Sequence, residues 1–506
     1  MSLRRNIIAN YLGQGWAAVM ALAFVPLYIR QLGMEAYGLI GLFAVMQAWL
    51  TLLDMGMTPT LAREMARFTA GAHSVQSIRN LLRSVEIVCF GLAIAICLVV
   101  WASAGWLASD WLKAEKLPTG VVKDAIAVMA LVVALRFVEG IYRSALFGLQ
   151  RQVWCNAVNA AVATLRSVGA AIVLTTLSPT IEAFFMWQTL VSLISIFLFA
   201  CGVHRTLPRS SVPASFSAEA VNRVWHFAGG MMGITFLAIL LTQVDKVLLS
   251  RLLSLEGFGY YSLATTIASV LYLVITPITT ALYPRLVEMV AQADSSLLSA
   301  TYHKGAQLVT TLTAPAALLL TFFGEGVMFT WTGNADLAHS AGTILSALTL
   351  GNFLNGMMYM PYQLQLAHGW TSLTLKINTV SVLLLVPAIF WIVPRYGALG
   401  AAGIWITLNA ACILASIQLM HLRILPADKW QWYLNDVGLP TLGVAVTMLL
   451  VYNLKPSTFH DRGSWFIFLT ASLICALVVS VILAKDIRSR IYVSVREARG
   501  AKFSHN

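Results

Sequence analysis

The chain contains few charged residues. Asp, Glu, Lys and Arg make up 11% of its 506 residues, whereas soluble globular proteins carry about 25%. The sequence also lacks the motifs of common catalytic sites, since it contains no HExxH, GxSxG, P-loop or DxD pattern. These absences argue against a soluble protein and against an enzyme.

The cysteines and histidines show no disulfide or metal-ligand pattern. None of the six cysteines forms a CxxC pair, and all lie within or at the edge of apolar runs. Cysteine at such positions is typical of a small buried hydrophobic residue. The nine histidines are not spaced as ligands. We therefore predict no disulfide framework, no metal site and no cofactor.

Long apolar runs occupy most of the chain. Hydrophobic residues make up 59% of it, and the mean hydropathy is +0.78. Because a transmembrane helix requires about 20 apolar residues, the runs predict a polytopic all-α membrane protein with about fourteen transmembrane helices. The predicted spans are 7–29, 37–58, 84–108, 121–147, 155–177, 182–203, 225–249, 258–283, 307–329, 340–365, 371–393, 400–421, 437–454 and 464–484.

A segment rich in Ser and Pro near mid-chain divides these spans into two sets. It predicts an N-terminal six-helix lobe at 1–204, a cytoplasmic linker at 205–224 and a C-terminal six-helix lobe at 225–423. Residues 424–506 would add two helices and a basic cytoplasmic tail. The predicted fold is therefore two pseudo-symmetric lobes with a C-terminal addition.

The distribution of Lys and Arg indicates the topology. Most of these residues fall in segments that face the cytoplasm if the N-terminus is inside, which predicts that both termini are cytoplasmic. The net charge of +12 is thus first a topology signal, and the scattered basic residues form no stripe that would predict nucleic acid as a partner. Asn10 and Gln14 interrupt the N-terminal apolar run, which we predict is a retained helix and not a cleaved signal peptide.

One sequence pattern occurs twice. Residues 27–42 read LYIRQLGMEAYGLIGL and residues 248–263 read LLSRLLSLEGFGYYSL, with Arg, Glu and Gly in the same register. A shorter pair, FMWQTL at 185–190 and GIWITL at 403–408, has nearly the same separation. Chance matching between apolar helices is the alternative. The shared register favours a duplication of two parallel repeats, related by a pseudo-two-fold axis along the membrane normal.

Several spans contain ionisable or amide side chains. An ionisable group costs roughly 2.5–3.5 kcal/mol at the bilayer centre, so it normally faces a cavity or a partner. Arg136, Glu139 and Arg143 lie at i, i+3 and i+7 and therefore share one helix face. The other candidate residues are Asp54, Asn159, Arg166, Asp245, Lys246, Asn355 and Lys376.

Two interpretations of these polar residues stay open. In the first, opposite charges pair to hold helices together, and residues near span ends, such as Asp54 and Lys246, reach the membrane interface. In the second, the residues line a hydrated cavity. The spans contain five cationic residues and only three carboxylates. Such a cavity would therefore favour an anionic cargo. Paired arginines suit phosphate through forked hydrogen bonds.

Three stretches carry a resemblance to a known family. They are RRNIIANYLGQGWAAVMALAFVPLYIRQLGMEAYGLIGL near the start, LLDMGMTPTLAREMARF at 52–68 and TQVDKVLLSRLLSLEGFGYYSLA at 242–264. Over nearly its full length the chain resembles the oligosaccharide flippases of bacterial surface-polysaccharide assembly, the polysaccharide-transporter family. That family belongs to the same superfamily as the multidrug and toxin extrusion transporters.

The resemblance implies a transporter in the bacterial inner membrane. Such proteins flip undecaprenyl-pyrophosphate-linked oligosaccharides from the cytoplasmic to the periplasmic leaflet by alternating access. The product is a surface polysaccharide, such as lipopolysaccharide O-antigen or exopolysaccharide. The expected partners are the lipid-linked oligosaccharide, membrane lipids, a coupling H⁺ or Na⁺, and polysaccharide polymerase or assembly proteins.

The resemblance also gives the polar residues expected roles. The residues that would bind the pyrophosphate or acidic sugars are Arg136, Arg143, Arg166, Lys246, Lys376, Asn159 and Asn355. The residues that would carry a coupling ion are Asp54, Glu139 and Asp245.

Three alternatives to a flippase stay open. A cation-coupled drug or small-molecule antiporter of the same superfamily should have a predominantly acidic cavity. A membrane polymerase, ligase or glycosyltransferase should have a large outer loop or a carboxylate motif. A non-transporting component of a polysaccharide assembly complex has no need of charges within its spans.

Overall fold

The computed structural model describes residues 3–54, 56–456 and 461–489, with side chains except at 3–8, 51 and 220–235. Across these residues the chain forms helices and no β-strand. Nine helical segments of this described part are long and apolar enough to cross a membrane, which confirms the predicted class of a polytopic all-α membrane protein. Most of the predicted basic tail, at 490–506, lies outside the described residues.

The chain divides into two compact units, and unit 1 comprises Met1–Gly259. Its helices are α1 (Leu3–Ala23), α2 (Val25–Leu32), α3 (Met34–Leu53), α4 (Met57–Thr69), α5 (Val75–Trp106), α6 (Thr119–Gly148), α7 (Gln152–Ile172), α8 (Ile181–Thr206) and α9 (Ala218–Leu252). Single π-helical turns at Leu107–Trp111 and Val173–Leu177 extend α5 and α7.

Unit 2 comprises Tyr260–Asn506, and the division falls within α10 (Leu255–Ala268). Its other helices are α11 (Leu271–Ala291), α12 (Ser295–Thr332), α13 (Ala335–Met357), α14 (Tyr359–Ala367), α15 (Thr371–Cys412), α16 (Gln418–Arg423), α17 (Lys429–Gln431), α18 (Leu439–Tyr452) and α19 (Arg462–Leu483). A 3₁₀ turn at Pro426–Asp428 precedes α17, and π-helical turns occupy Ile413–Ile417 and Trp432–Gly438.

Several predicted spans differ from the observed helices because the chain breaks at specific residues. The first span contains α1 and α2, which meet at Phe24, just before Pro26. Proline is favoured in the first turn of a helix, where its missing N–H would have no partner. The second span ends early, at Leu53, and residues 57–69 form the amphipathic helix α4, which the sequence analysis did not predict. A kink at Gly397, whose φ is +58°, separates two predicted spans within α15.

The segment between α8 and α9 is extended and packs on the first turns of α5. Ser210 Oγ donates a hydrogen bond to Gln76 Oε1 at 2.6 Å, and the backbone N–H of Ser215 donates to Asn80 Oδ1 at 3.0 Å. This part of the predicted linker, 205–224, is therefore attached to unit 1. The predicted lobe boundaries, at 1–204 and 225–423, stay a prediction.

The two copies of the repeated sequence pattern contact each other within unit 1. A Cβ atom added to Gly38 of α3 would lie 2.4 Å from the backbone oxygen of Leu255, and one added to Gly259 would lie 2.6 Å from that of Met34. Leu255 and Gly259 occupy the same places in the second copy as Met34 and Gly38 in the first. Each copy therefore brings its glycine against a carbonyl of the other. This reciprocal contact supports an internal duplication with two-fold symmetry.

The repeated glutamates, Glu35 and Glu256, hold the loop between α5 and α6. The Glu35 carboxylate is buried and accepts hydrogen bonds from the backbone N–H groups of Glu115, Lys116 and Leu117 at 2.6, 2.9 and 2.8 Å. Nζ of Lys116 lies 2.5 Å from Glu256 Oε2. One glutamate from each copy of the pattern thus fixes the same loop.

Candidate functional site

Arg136 lies at the centre of a polar cluster in unit 1. From α6 its guanidinium reaches two other helices: Nη1 donates to Gln47 Oε1 of α3 at 2.8 Å, and Nη2 donates to Gln188 Oε1 of α8 at 3.1 Å. Its central carbon also lies 4.9 Å from the centre of the Phe43 ring, a cation–π distance. Nε is buried and has no hydrogen-bond partner among the described residues. Neutral groups therefore hold this cation in place.

Glu139, one turn further along α6, forms an ion pair with Arg166 of α7. The Oε2–Nη2 distance is 2.7 Å, and the side chains of Glu139 and Arg166 are 7% and 19% exposed. Gln188 Nε2 lies 3.5 Å from the backbone oxygen of Arg166, which links this pair to the amide that holds Arg136. In the part of the chain that the structure describes, Arg166 Nε is buried without a partner. The pair joins α6 to α7, and the buried Nε–H of Arg166 stays available to an external acceptor.

Arg143 lies another turn along α6 and is exposed. Its guanidinium forms no hydrogen bond or ion pair with any residue that the structure describes. Together Arg136, Glu139, Arg143 and Arg166 are termed the arginine cluster. Three cations and one anion give this cluster a net charge of two positive units. The sequence predicted the shared face of α6, and within the described part of the chain Arg136 has partners whereas Arg143 has none.

Asn159 is half-buried on α7, two turns before Arg166 and on the same face. Close to it, amides of α1 and α7 contact each other. Asn156 Nδ2 donates to Asn10 Oδ1 at 2.5 Å, and Asn10 Nδ2 donates to Gln152 Oε1 at 3.1 Å. The polar residues predicted on these two helices therefore face each other.

The other candidate residues of unit 1 have local contacts. Asp54 accepts hydrogen bonds from the backbone N–H and the Oγ1 of Thr58, at 3.1 and 2.5 Å, and so caps α4 at its N-terminus. Asp245 Oδ1 lies 3.5 Å from Nζ of Lys246, its neighbour in α9. The Lys246 Nζ also donates to the Thr242 backbone oxygen at 2.5 Å. These contacts are local, within one helix or at its start, and the transport roles of these residues stay predictions.

Unit 2 contains an uncharged network around Asn355. Its Oδ1 accepts a hydrogen bond from Tyr272 OH at 3.0 Å, and its Nδ2 donates to Asn409 Oδ1 at 2.8 Å. On the same two helices, α13 and α15, Trp405 Nε1 donates to Asn352 Oδ1 at 2.9 Å. This network joins α11, α13 and α15 without a charge.

Lys376, in α15, is exposed. Like Arg143, it has no hydrogen bond or ion pair with the described residues. It therefore contributes an uncompensated positive charge to unit 2.

Sequence reasoning did not identify the partners of Arg136. Gln47 shares a helical face with the candidate Asp54, seven residues further along the chain, and Gln188 appeared only within the short repeated pattern. A signal was present, since Gln188 is the single amide side chain in the apolar span at 182–203. An isolated amide in an apolar helix normally requires a partner, but the sequence does not show which helix supplies it.

Sequence comparison finds similarity to a family of polysaccharide biosynthesis proteins and to an O-antigen transporter. A family model described as "Polysaccharide biosynthesis protein" matches residues 3–290, more than half of the chain. A "Putative O-antigen transporter" from Shigella flexneri is 21% identical over 407 residues, which are 80% of this chain and 94% of that protein.

Structural comparison finds the same fold in solved transporters. The lipid II flippase MurJ, in an inward closed conformation, gives a TM-score of 0.71 at 12% identity and covers 95% of this chain and 99% of its own. An inward-facing multidrug resistance transporter of the MATE family, in the MOP superfamily, gives 0.65 at 14% identity and covers 85% and 96%. At these identities the likeness shows a common fold.

Proposed function

The chain belongs to the polysaccharide biosynthesis protein family, and on this premise we propose that it flips an undecaprenyl-pyrophosphate-linked oligosaccharide from the cytoplasmic to the periplasmic leaflet of the bacterial inner membrane. The family resemblance predicted from the sequence is confirmed by that match. Export of a surface polysaccharide is supported by the similarity to an O-antigen transporter and by the transporter fold. The observation that carries the proposal is the positive charge of the arginine cluster.

The arginine cluster offers hydrogen-bond donors that the protein itself does not use. Arg143 has its whole guanidinium available, and Arg136 and Arg166 each keep a buried Nε–H without a partner among the described residues. A buried donor left without an acceptor costs about 1–3 kcal/mol, so an external acceptor would recover this free energy. Pyrophosphate oxygens suit this task because guanidinium groups bind them through charge-assisted hydrogen bonds.

The remaining binding residues are proposed from their position and chemistry. Asn159 lies on the face of α7 that carries Arg166, where an amide suits sugar hydroxyls. Lys246, Lys376 and Asn355 complete the set, and the two lysines would attract acidic sugars. Alternating access is the proposed mechanism.

Glu139 is the proposed coupling residue with the clearest physical effect. Protonation of its carboxylate would remove the negative charge that holds Arg166 at 2.7 Å and would free this guanidinium for the anionic cargo. Asp245 and Asp54 stay further candidates, although capping α4 already gives Asp54 a structural role. The proposed coupling ion is H⁺ or Na⁺, and polysaccharide polymerase or assembly proteins are proposed partners.

A drug or small-molecule antiporter is the second candidate, because the fold is also that of a multidrug resistance transporter. An organic cation would be repelled by a cluster with three arginines and one glutamate. A non-transporting component of an assembly complex would have no need of an unpaired arginine such as Arg143. Both alternatives predict no transfer of a pyrophosphate-linked sugar.

A transfer assay tests the proposal. Purified protein in liposomes that contain a pyrophosphate-linked polyprenyl oligosaccharide should make the sugar accessible on the opposite leaflet. Arg143→Ala should fold normally, since the side chain is exposed. It should lower the transfer rate by about tenfold or more, because a hydrogen bond to a charged group contributes about 1.5–3 kcal/mol.

Arg209→Ala is the matched control, since Arg209 is an exposed arginine of the segment between α8 and α9. It should leave the transfer rate unchanged. Equal rates in Arg143→Ala and the wild type would refute the role of Arg143. Accumulation of an organic cation driven by an H⁺ or Na⁺ gradient would favour the antiporter instead.

Replacing Arg136 by lysine should be as harmful to transfer as replacing it by alanine. The guanidinium joins Gln47 and Gln188 on two helices, and a single ammonium group cannot reproduce this forked geometry. The measurement is the transfer rate of Arg136→Lys beside Arg143→Lys. The Arg143 guanidinium makes no paired hydrogen bonds to described protein groups, so lysine at this position should preserve more transfer activity than alanine. A fully active Arg136→Lys protein would show that only the charge at this position matters.

A further inference from the structure

A second cluster of ionisable residues lies in unit 2. His303 of α12 is buried between two carboxylates from the segment that precedes α18. Its Nδ1 hydrogen-bonds to Oδ2 of Asp436, which is also buried, and its Nε2 lies 3.3 Å from Oδ2 of Asp428. His303, Asp428 and Asp436 are termed the histidine cluster.

The histidine cluster places two carboxylates around the ring of His303, which carries only one N–H group when it is neutral. A neutral imidazole has one N–H group, and its other nitrogen presents a lone pair. Nδ1 of His303 hydrogen-bonds to Asp436, whereas Nε2 lies 3.3 Å from Asp428 Oδ2 without a hydrogen bond to any described residue. In a neutral imidazole that donates from Nδ1, the lone pair of Nε2 would therefore lie close to a carboxylate oxygen, which is repulsive. A second proton, on the imidazole or on a carboxyl group, removes this repulsion and reduces the buried negative charge.

The surroundings provide little compensation for the two carboxylates. Ser299 Oγ donates to Asp428 Oδ2 at 2.5 Å, whereas Asp436 Oδ1 is buried without a hydrogen-bond partner in the described part of unit 2. Lys429 stacks its Nζ over the Trp430 ring at 4.8 Å. The cluster therefore depends on protons for its balance of charge.

Other titratable groups face the histidine cluster from every neighbouring element. Tyr302 of α12 lies beside it, and its buried OH has no partner among the described residues. His421 of α16 uses Nδ1 for a hydrogen bond with the Ile417 backbone oxygen, and its Nε2 is buried and unpartnered in the same described set. Tyr433 and Asp486 complete this environment. Neither adds a positive charge.

We propose that the histidine cluster is a proton-binding site that, when protonated, fastens residues 426–438 to α12. Loss of the proton leaves His303 with one N–H and two carboxylates to satisfy. Asp436 or Asp428 then faces an imidazole lone pair in place of an N–H group, and the segment that leads into α18 is held less firmly. This inference concerns unit 2 alone and does not depend on the cargo or on the arginine cluster.

Thermal unfolding of the purified protein at a series of pH values tests the proposal. From pH 6 to pH 8.5 the wild-type Tm should fall by about 2–4 °C, the effect of one such contact in a domain of about 150–250 residues. His303→Gln should show no such fall. His339→Gln, which removes an exposed histidine, should keep the wild-type dependence. Equal pH dependence in the wild type and His303→Gln, or a wild-type Tm that is constant with pH, would overturn the proposal.

Hydrogen exchange provides a second readout if His303→Gln fails to fold. Asp428→Asn keeps the contact between His303 and Asp436 and removes the second carboxylate. In the wild type, exchange of residues 426–438, corrected for the intrinsic effect of pH, should be faster at pH 8.5 than at pH 6. In Asp428→Asn this difference should shrink severalfold. Wild-type exchange that does not change with pH would also contradict the proposal.

Discussion

Replacing Glu139 by glutamine should lower the free energy of unfolding by about 3 kcal/mol, since removing one partner of a buried ion pair costs about 3–5 kcal/mol. The pair is closely formed, at 2.7 Å, but Arg166 keeps 19% of its side chain exposed. We therefore expect the lower end of that range. The measurement is chemical or thermal unfolding of the purified protein in detergent. A stability equal to that of the wild type would show that the pair contributes nothing to folding.

The double variant Glu139→Gln with Arg166→Gln is the matched control. Two neutral amides leave no buried charge without a partner, so most of the lost stability should return. Transfer of the pyrophosphate-linked sugar should not return, because Arg166 is a proposed ligand of the cargo. A stable and fully active double variant would restrict Glu139 and Arg166 to helix packing. A stable and inactive one would separate their structural role from their transport role.

Gly38→Ala and Gly259→Ala should each destabilise the protein by about 1–3 kcal/mol, the usual cost of overpacking a close contact. The added methyl group would lie 2.4 or 2.6 Å from a backbone oxygen, and a backbone cannot move aside as a flexible side chain can. The two chain segments that carry the repeated pattern must therefore separate. The measurement is the same unfolding experiment.

Gly91→Ala provides the control for the glycine variants, because a Cβ atom at Gly91 in α5 would meet nothing within 4 Å. There alanine should be neutral or stabilising by about 0.5–1 kcal/mol, as expected in a helix interior. The double variant of Gly38 and Gly259 should cost less than the sum of the single variants, since one separation relieves both contacts. Additive costs would show that the two glycine contacts are independent.

The histidine cluster illustrates a limit of sequence reasoning. His303 and Asp436 are separated by 133 residues, and each lies at the edge of an apolar run. The histidines are not spaced as ligands along the sequence, but this spacing reports only on residues that are close in the chain. A contact between distant segments leaves no periodic signal when neither segment carries a polar stripe. The fold is required to bring the two residues together.

Helical periodicity predicted correctly which polar residues of a single helix share a face. The spacing of Arg136, Glu139 and Arg143 fixed their common face on α6, because residues three, four and seven apart lie on one side of a helix. The same rule placed Asn159 and Arg166, seven residues apart, on one face of α7. It did not separate Asp54, which caps a helix that the sequence analysis did not predict, from residues that line a site.

The sequence by itself determined the membrane class, the family and the excess of positive charge within the spans. Hydropathy, register and residue counts are properties of the chain itself, so they can be determined without knowing how the helices pack. Only the tertiary structure decided that Glu139 neutralises Arg166, that Gln47 and Gln188 hold Arg136, and that Arg143 has no partner among the described residues. These assignments depend on how each helix is rotated and on which helices surround it. Many weak contacts between distant segments determine both together, and no local sequence pattern contains this information.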